Sequence, residues 1–124
     1  MRIFKTQWFT KWAKKEKLPD SSLVAAVEEM EQGLVDADLG GHVMKKRVAL
    51  PGRGKSGGAR TIIAYQVEDK AFFIYGFAKN KRDNVSAKEL QALQVLAADL
   101  LEYTAPMLES AMKENELTEV ENDG

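Results

Sequence analysis

The chain has 124 residues, no cysteine, one histidine and three prolines. Without thiols there can be neither a disulfide framework nor a thiolate-bound metal. A single imidazole, that of His42, rules out catalysis by a pair of histidines. No Ser-His-Asp arrangement or cluster of metal ligands can be argued from the remaining residues. No apolar run approaches the ~18 residues that a membrane helix needs. Met1-Arg2-Ile3-Phe4-Lys5 reads as the start of a folded pattern rather than a signal peptide. The absence of cysteine suits a reducing compartment, so the chain is expected in the cytoplasm. Its length fits one domain, expected over residues 1–113, and the acidic segment 114–124 is expected to fray.

Net charge is also small, at -1, but it is unevenly placed. Between His42 and Arg82 there are ten Lys/Arg and two Asp/Glu, whereas from Asp83 to Gly124 there are two Lys/Arg and ten Asp/Glu. Such blocks imply a patterned surface. The basic block could meet a polyanion such as RNA; alternatively, the two blocks neutralise each other inside the fold.

Hydrophobic patterning supplies the elements. Residues 2–5 suit a short strand. Trp8 and Trp12 are four apart with Phe9 beside them, which predicts an amphipathic helix ended by Pro19, with the tryptophans as core anchors. A second helix is expected to start near Asp20 or Ser21, one of them its N-cap, and to stop at Gly33. Asp36 and Asp38 belong to a polar turn, and His42 to the turn that enters the next strand. Val43 to Leu50 reads as a strand whose alternation places Lys45 and Arg47 on one face. The glycines from Gly52 to Gly58 predict an irregular loop carrying Arg53 and Lys55. Arg60–Val67 and Ala71–Lys79, separated by Glu68-Asp69-Lys70, form the strongest hairpin signal, and its register pairs Arg60 with a residue between Phe77 and Lys79. Ser86 and Glu89 make a capping box for a long helix that Pro106 kinks or restarts. The order predicts an α+β fold: a small antiparallel sheet with an N-terminal helix pair and a C-terminal helix, packed mainly on one face.

Candidate chemistry is confined to the basic segment. Gly54-Lys55-Ser56 carries the letters of a P-loop, but Ala49 stands where the earlier glycine is required and a strand follows, so nucleotide binding is rejected. A basic glycine loop instead suits a phosphate grip. Lys45, Arg47, Arg60, Lys79, Lys81 and Arg82 lie at strand ends near one rim. RNA can be cleaved by its own 2′-hydroxyl if one group takes the proton, a cation stabilises the phosphorane and another group serves the leaving oxygen. Lysine and arginine could share those tasks.

Lys45-Lys46-Arg47-Val48-Ala49, Gly52-Arg53-Gly54-Lys55-Ser56-Gly57-Gly58-Ala59-Arg60 and Phe73-Ile74-Tyr75-Gly76-Phe77-Ala78-Lys79-Asn80 resemble the HigB-type branch of the RelE/ParE toxin superfamily. The resemblance covers about residues 1–103. It implies a RelE-like fold and a toxin held by a cognate HigA-type helix-turn-helix antitoxin. The implied activity is endonuclease action on mRNA, usually on the ribosome, with no small-molecule cofactor, metal or membrane. By the same resemblance Arg60 is the phosphate-neutralising catalytic arginine, Lys45 a candidate base and Lys79 a candidate for leaving-group stabilisation. Arg47, Arg53, Lys55, Lys81 and Arg82 would bind RNA. No tyrosine or histidine closely follows the last strand, which departs from RelE enzymes that use a tyrosine base. The alternatives are a poison of a protein target such as gyrase, as in ParE-like relatives, or an RNA-binding module without activity.

Overall fold

The computed structural model describes residues 1–52 and 54–121, with only the backbone of residues 54–56. In chain order the elements are β1 (Arg2–Thr6), α1 (Gln7–Lys15), α2 (Asp20–Glu31), β2 (Ala37–Asp38), β3 (Val43–Leu50), β4 (Gly54–Gln66), β5 (Lys70–Ala78), α3 (Ala87–Leu101), α4 (Ala105–Lys113) and β6 (Leu117–Val120). The fold is α+β, as expected. The strands form one sheet in the order β2-β3-β4-β5-β1-β6. That sheet is mixed rather than wholly antiparallel, because β1 runs parallel to β5, with Ile3 opposite Ala71 and Phe4 opposite Phe72. The sequence of β5 suits this central place. Ala71 to Ile74 are all buried, and a strand apolar on both faces is stable only inside a sheet with both faces covered.

Helices accordingly cover both faces rather than mainly one. Phe9, Leu23, Val27 and Met30 of α1 and α2 pack with Val48, Ile63 and Phe73. On the other face, Ala97 and Leu100 of α3 and Leu108 and Ala111 of α4 pack with Phe4, Ile62 and Phe72. Phe4 and Phe72 stack at 5.1 Å between ring centroids. Pro106 restarts the chain as α4, in its first turn.

Four local expectations are corrected. The described residues after Lys113 are not frayed: Leu117–Val120 pairs antiparallel with β1, both end residues are buried, and Arg2 Nε donates to Glu119 Oε2 at 2.9 Å. Two apolar residues amid acids suffice once a strand edge is there to receive them. The glycine run is not all loop, since β4 reaches back to Gly54, which pairs with Leu50 across a register shift; glycine weakens a strand but does not forbid ladder pairing. Asp20 does not cap α2. Pro19 holds the N-cap position without a side-chain bond, and Asp20 pairs with Lys5 at 2.8 Å. Finally, Trp8 is not a core anchor: it is 46% exposed, while Trp12 packs against the core.

Candidate functional site

Arg47, Arg60, Lys79 and Lys81 lie toward the end of the sheet where β3 closes, β4 enters and β5 ends. Alternation along β3 puts Lys45 and Arg47 on one face, the α3 side that carries Val43. Register then sets their neighbours: Lys45 lies opposite Ile62, Arg47 opposite Arg60, and Arg60 opposite Phe77. The Arg60–Phe77 pairing falls within the range expected from hairpin spacing. Lys79 follows β5, and its backbone N–H donates to the Gly58 carbonyl at 3.2 Å, which fixes it at the same end as Arg60. So Arg47, Arg60 and Lys79 lie toward one end of the sheet, whereas Lys45, third in β3 and opposite Ile62, stands on the same face two residues further in.

Two arginines directly opposite on one face break the rule against like-charged cross-strand pairs. The fold offsets part of this cost. Arg47 pairs with Asp36 at 3.0 Å, and the same carboxylate accepts the Arg47 backbone N–H at 2.6 Å. Asp36 is thus more than a turn residue. Arg60 is buried, unusual for arginine unless its charge is compensated. A local rule broken at a buried cation is the kind of conflict expected where function has a claim on the residue.

The remaining cations divide by partner. Lys46, on the opposite face of β3, is buried and pairs with Glu29 of α2 at 2.7 Å, so it belongs to the packing of α2. Lys45, Lys79 and Lys81 make no ion pair among the described residues; Lys79 and Lys81 are exposed. Arg82 differs from the expectation for a phosphate contact. Its Nη1 donates to Glu89 Oε2 at 3.0 Å, its Nε donates to the Asn84 carbonyl at 2.9 Å, and its guanidinium lies 5.4 Å from the Phe77 ring centroid. It serves first to tie α3 to β5. Arg53 and the side chain of Lys55 lie outside the described residues.

Glu89 is the hinge of that tie. It closes the capping box with Ser86, accepting the Ser86 backbone N–H at 2.8 Å while Ser86 Oγ accepts from Glu89 N at 3.1 Å. The Arg82 guanidinium, then the Ser86 N–H, hold its carboxyl down at about 2. A folded-state pKa below the ordinary value of 4.5 means that this contribution is fully present above pH 4.5 and is lost as pH falls to about 2. An NMR titration should therefore place the Glu89 midpoint near 2 and that of the Arg82→Ala variant closer to 4.5. An unmoved midpoint would show that Arg82 does not face Glu89.

One residue of the rim was missed by the sequence reasoning. Tyr75 lies opposite Ile62, two register rows from Arg60, and its hydroxyl is 3.5 Å from both Arg82 Nη1 and Glu89 Oε2. The expectation about a tyrosine concerned only positions beyond the end of the strand. The period-two pattern Tyr75, Phe77, Lys79 was the available signal, since all three fall on the face of Arg60. His42 is exposed, with a left-handed φ of 65°, and stays a turn residue at the other end of β3. No group of three metal-ligating side chains occurs among the described residues, and none of their helices is long and apolar enough to cross a membrane.

A family model described as the RelE toxin of the RelE/RelB toxin-antitoxin system matches residues 1–120. No curated protein matches the chain.

Proposed function

The chain belongs to the RelE toxin family of toxin-antitoxin systems, and from that premise we propose that it is an endoribonuclease that cuts mRNA on the ribosome. Family toxins are generally ribonucleases, and membership implies an antitoxin partner. The sequence motifs favour the HigB-type branch and a helix-turn-helix antitoxin of HigA type. The observation that carries the reading is the buried Arg60 set cross-strand from Arg47, with Lys79 at the same sheet end and Lys45 two residues further along the same face of β3.

The chemistry divides among these groups. Lys45, in its neutral form, accepts the proton of the RNA 2′-hydroxyl. The 2′-oxygen attacks the adjacent phosphorus, and the P–O5′ bond breaks. Arg60 offers a planar fork to two phosphorane oxygens, where stabilisation of developing charge contributes most. Lys79 gives a proton to the departing 5′-oxygen, which leaves as a 5′-hydroxyl, and Tyr75 holds a hydroxyl two register rows from Arg60. Arg47 and Lys81 hold flanking phosphates, as would Arg53 and Lys55.

Attack by the 2′-oxygen leaves a 2′,3′-cyclic phosphate on one fragment and a 5′-hydroxyl on the other. Mapping mRNA ends on translating ribosomes should find both end groups at discrete sites. Fragments that carry 5′-phosphate would sink this mechanism. Growth arrest with intact mRNA and double-strand DNA breaks would instead move the protein to a gyrase-poisoning role.

A further inference from the structure

The proposed cleavage leaves one exposed feature unused. β1 stops pairing with β5 at Phe73, so beyond that point the outer edge of β5 has no strand beside it among the described residues. α1 covers this edge with two indoles. Trp12 lies over Gly76, and Trp8 stacks on Tyr75 with ring centroids 4.7 Å apart and planes at 30°. Trp12 is half-buried, but Trp8 keeps 46% of its surface open.

Trp8, which also lies beside Trp12 at 6.2 Å between centroids, lines a groove of about 310 Å³ with Gln7, Ile74, Leu96, Leu100, Tyr103 and Glu116, among others. Most of that lining is apolar or aromatic, while Gln7 and Glu116 offer polar edges. The groove is joined to the basic rim by an unbroken series of contacts: Trp8 on Tyr75, the Tyr75 hydroxyl 3.5 Å from Arg82, and Arg82 over Phe77, the cross-strand partner of Arg60. Aromatic faces next to cations are how proteins hold unpaired bases while gripping the phosphates between them. A cation network beside an aliphatic patch alone would not favour RNA over a protein helix; an exposed indole backed by a second ring does.

We propose that Trp8, backed by Tyr75, is a stacking platform for one splayed-out nucleobase of the RNA beside the cleaved phosphate. This rests on the RNA-cleaving reading above. It assigns the aromatic groove, and not only the basic rim, to substrate binding. Trp8 would set the path of the strand and not take part in the chemistry.

The test uses a single-stranded 2′-O-methyl RNA hexanucleotide, which lacks the attacking hydroxyl and stays intact, and a sugar-phosphate strand of equal length without bases. Trp8→Leu should bind the base-bearing strand about tenfold more weakly or worse, and the abasic strand as the wild type does. In the wild type, the base-bearing strand should quench tryptophan fluorescence and the abasic strand should not, a readout that stands even if Trp8→Leu folds poorly. Unchanged affinity of Trp8→Leu for both strands, with no base-dependent quenching, overturns the proposal and makes Trp8 a contact for a protein partner. Equal weakening towards both strands also overturns it, since the effect would then be on the phosphate rim. If the wild type binds neither strand while it still cuts mRNA on ribosomes, the stacking role fails alone; if it neither binds nor cuts, the RNA reading fails with it.

Discussion

Arg60→Ala is expected to lower the rate of mRNA cleavage by about 10²–10³-fold, the usual loss when one preorganised partner of a developing oxyanion is removed. Arg60 is buried at the rim and lies between Arg47 and Phe77 in register, so its backbone is fixed by a neighbouring strand on each side. Preorganisation of that kind makes a cation effective in the transition state, because no reorganisation has to accompany the chemistry. Arg60→Lys should recover only part of the rate: it keeps the charge but loses the two-pronged grip. Counting 5′ ends on translating ribosomes, with thermal melting of each variant as the folding check, separates chemistry from stability. Cut sites at wild-type frequency in a folded Arg60→Ala protein would remove Arg60 from the mechanism.

The largest single effect on stability is expected at Gly76. A Cβ placed there would lie 2.5, 2.8 and 2.9 Å from three atoms of the Trp12 ring. The ring cannot simply swing away, because it packs against Phe9 at 5.4 Å and beside Trp8 at 6.2 Å between centroids. Gly76→Ala should therefore cost about 1–3 kcal/mol by overpacking. Combining it with Trp12→Leu should cost less than the sum of the two single changes, since the smaller side chain removes the clash. Urea denaturation of the four proteins measures this coupling, and strict additivity would show that Trp12 is not what confines Gly76. Because Gly76 adjoins Tyr75, the double variant also reports whether the aromatic edge of β5 can be loosened without loss of cleavage.

Much of the local structure was legible along the chain. The Ser86–Glu89 capping box, the hairpin turn before Lys70, the span Val43–Leu50 and the stop at Gly33 are all present. Each depends on neighbours within a few residues, so its cause lies in the local sequence. Arg60 was tied to the end of β5 for the same reason, since a short turn leaves little freedom in register. Longer-range relations were not legible. Nothing near Leu117 announces that β1 will accept it as a strand, and nothing near Trp8 announces that β1 ends early enough to leave Tyr75 open to stacking. Arg82 read as a free cation because its partner Glu89 was already explained as a cap.

By itself, then, the sequence determined most of the elements and that Arg60 and Lys79 share one end of adjacent strands. Periodicity and turn length act over a handful of residues and need no knowledge of the rest. The tertiary structure decided which of the cations remain available. Lys46 and Arg82 are taken up by Glu29 and Glu89, whereas Lys45, Lys79 and Lys81 have no ion-pair partner among the described residues. That division follows from which side chains the packed helices carry to within hydrogen-bond distance, and such proximity is created only by folding.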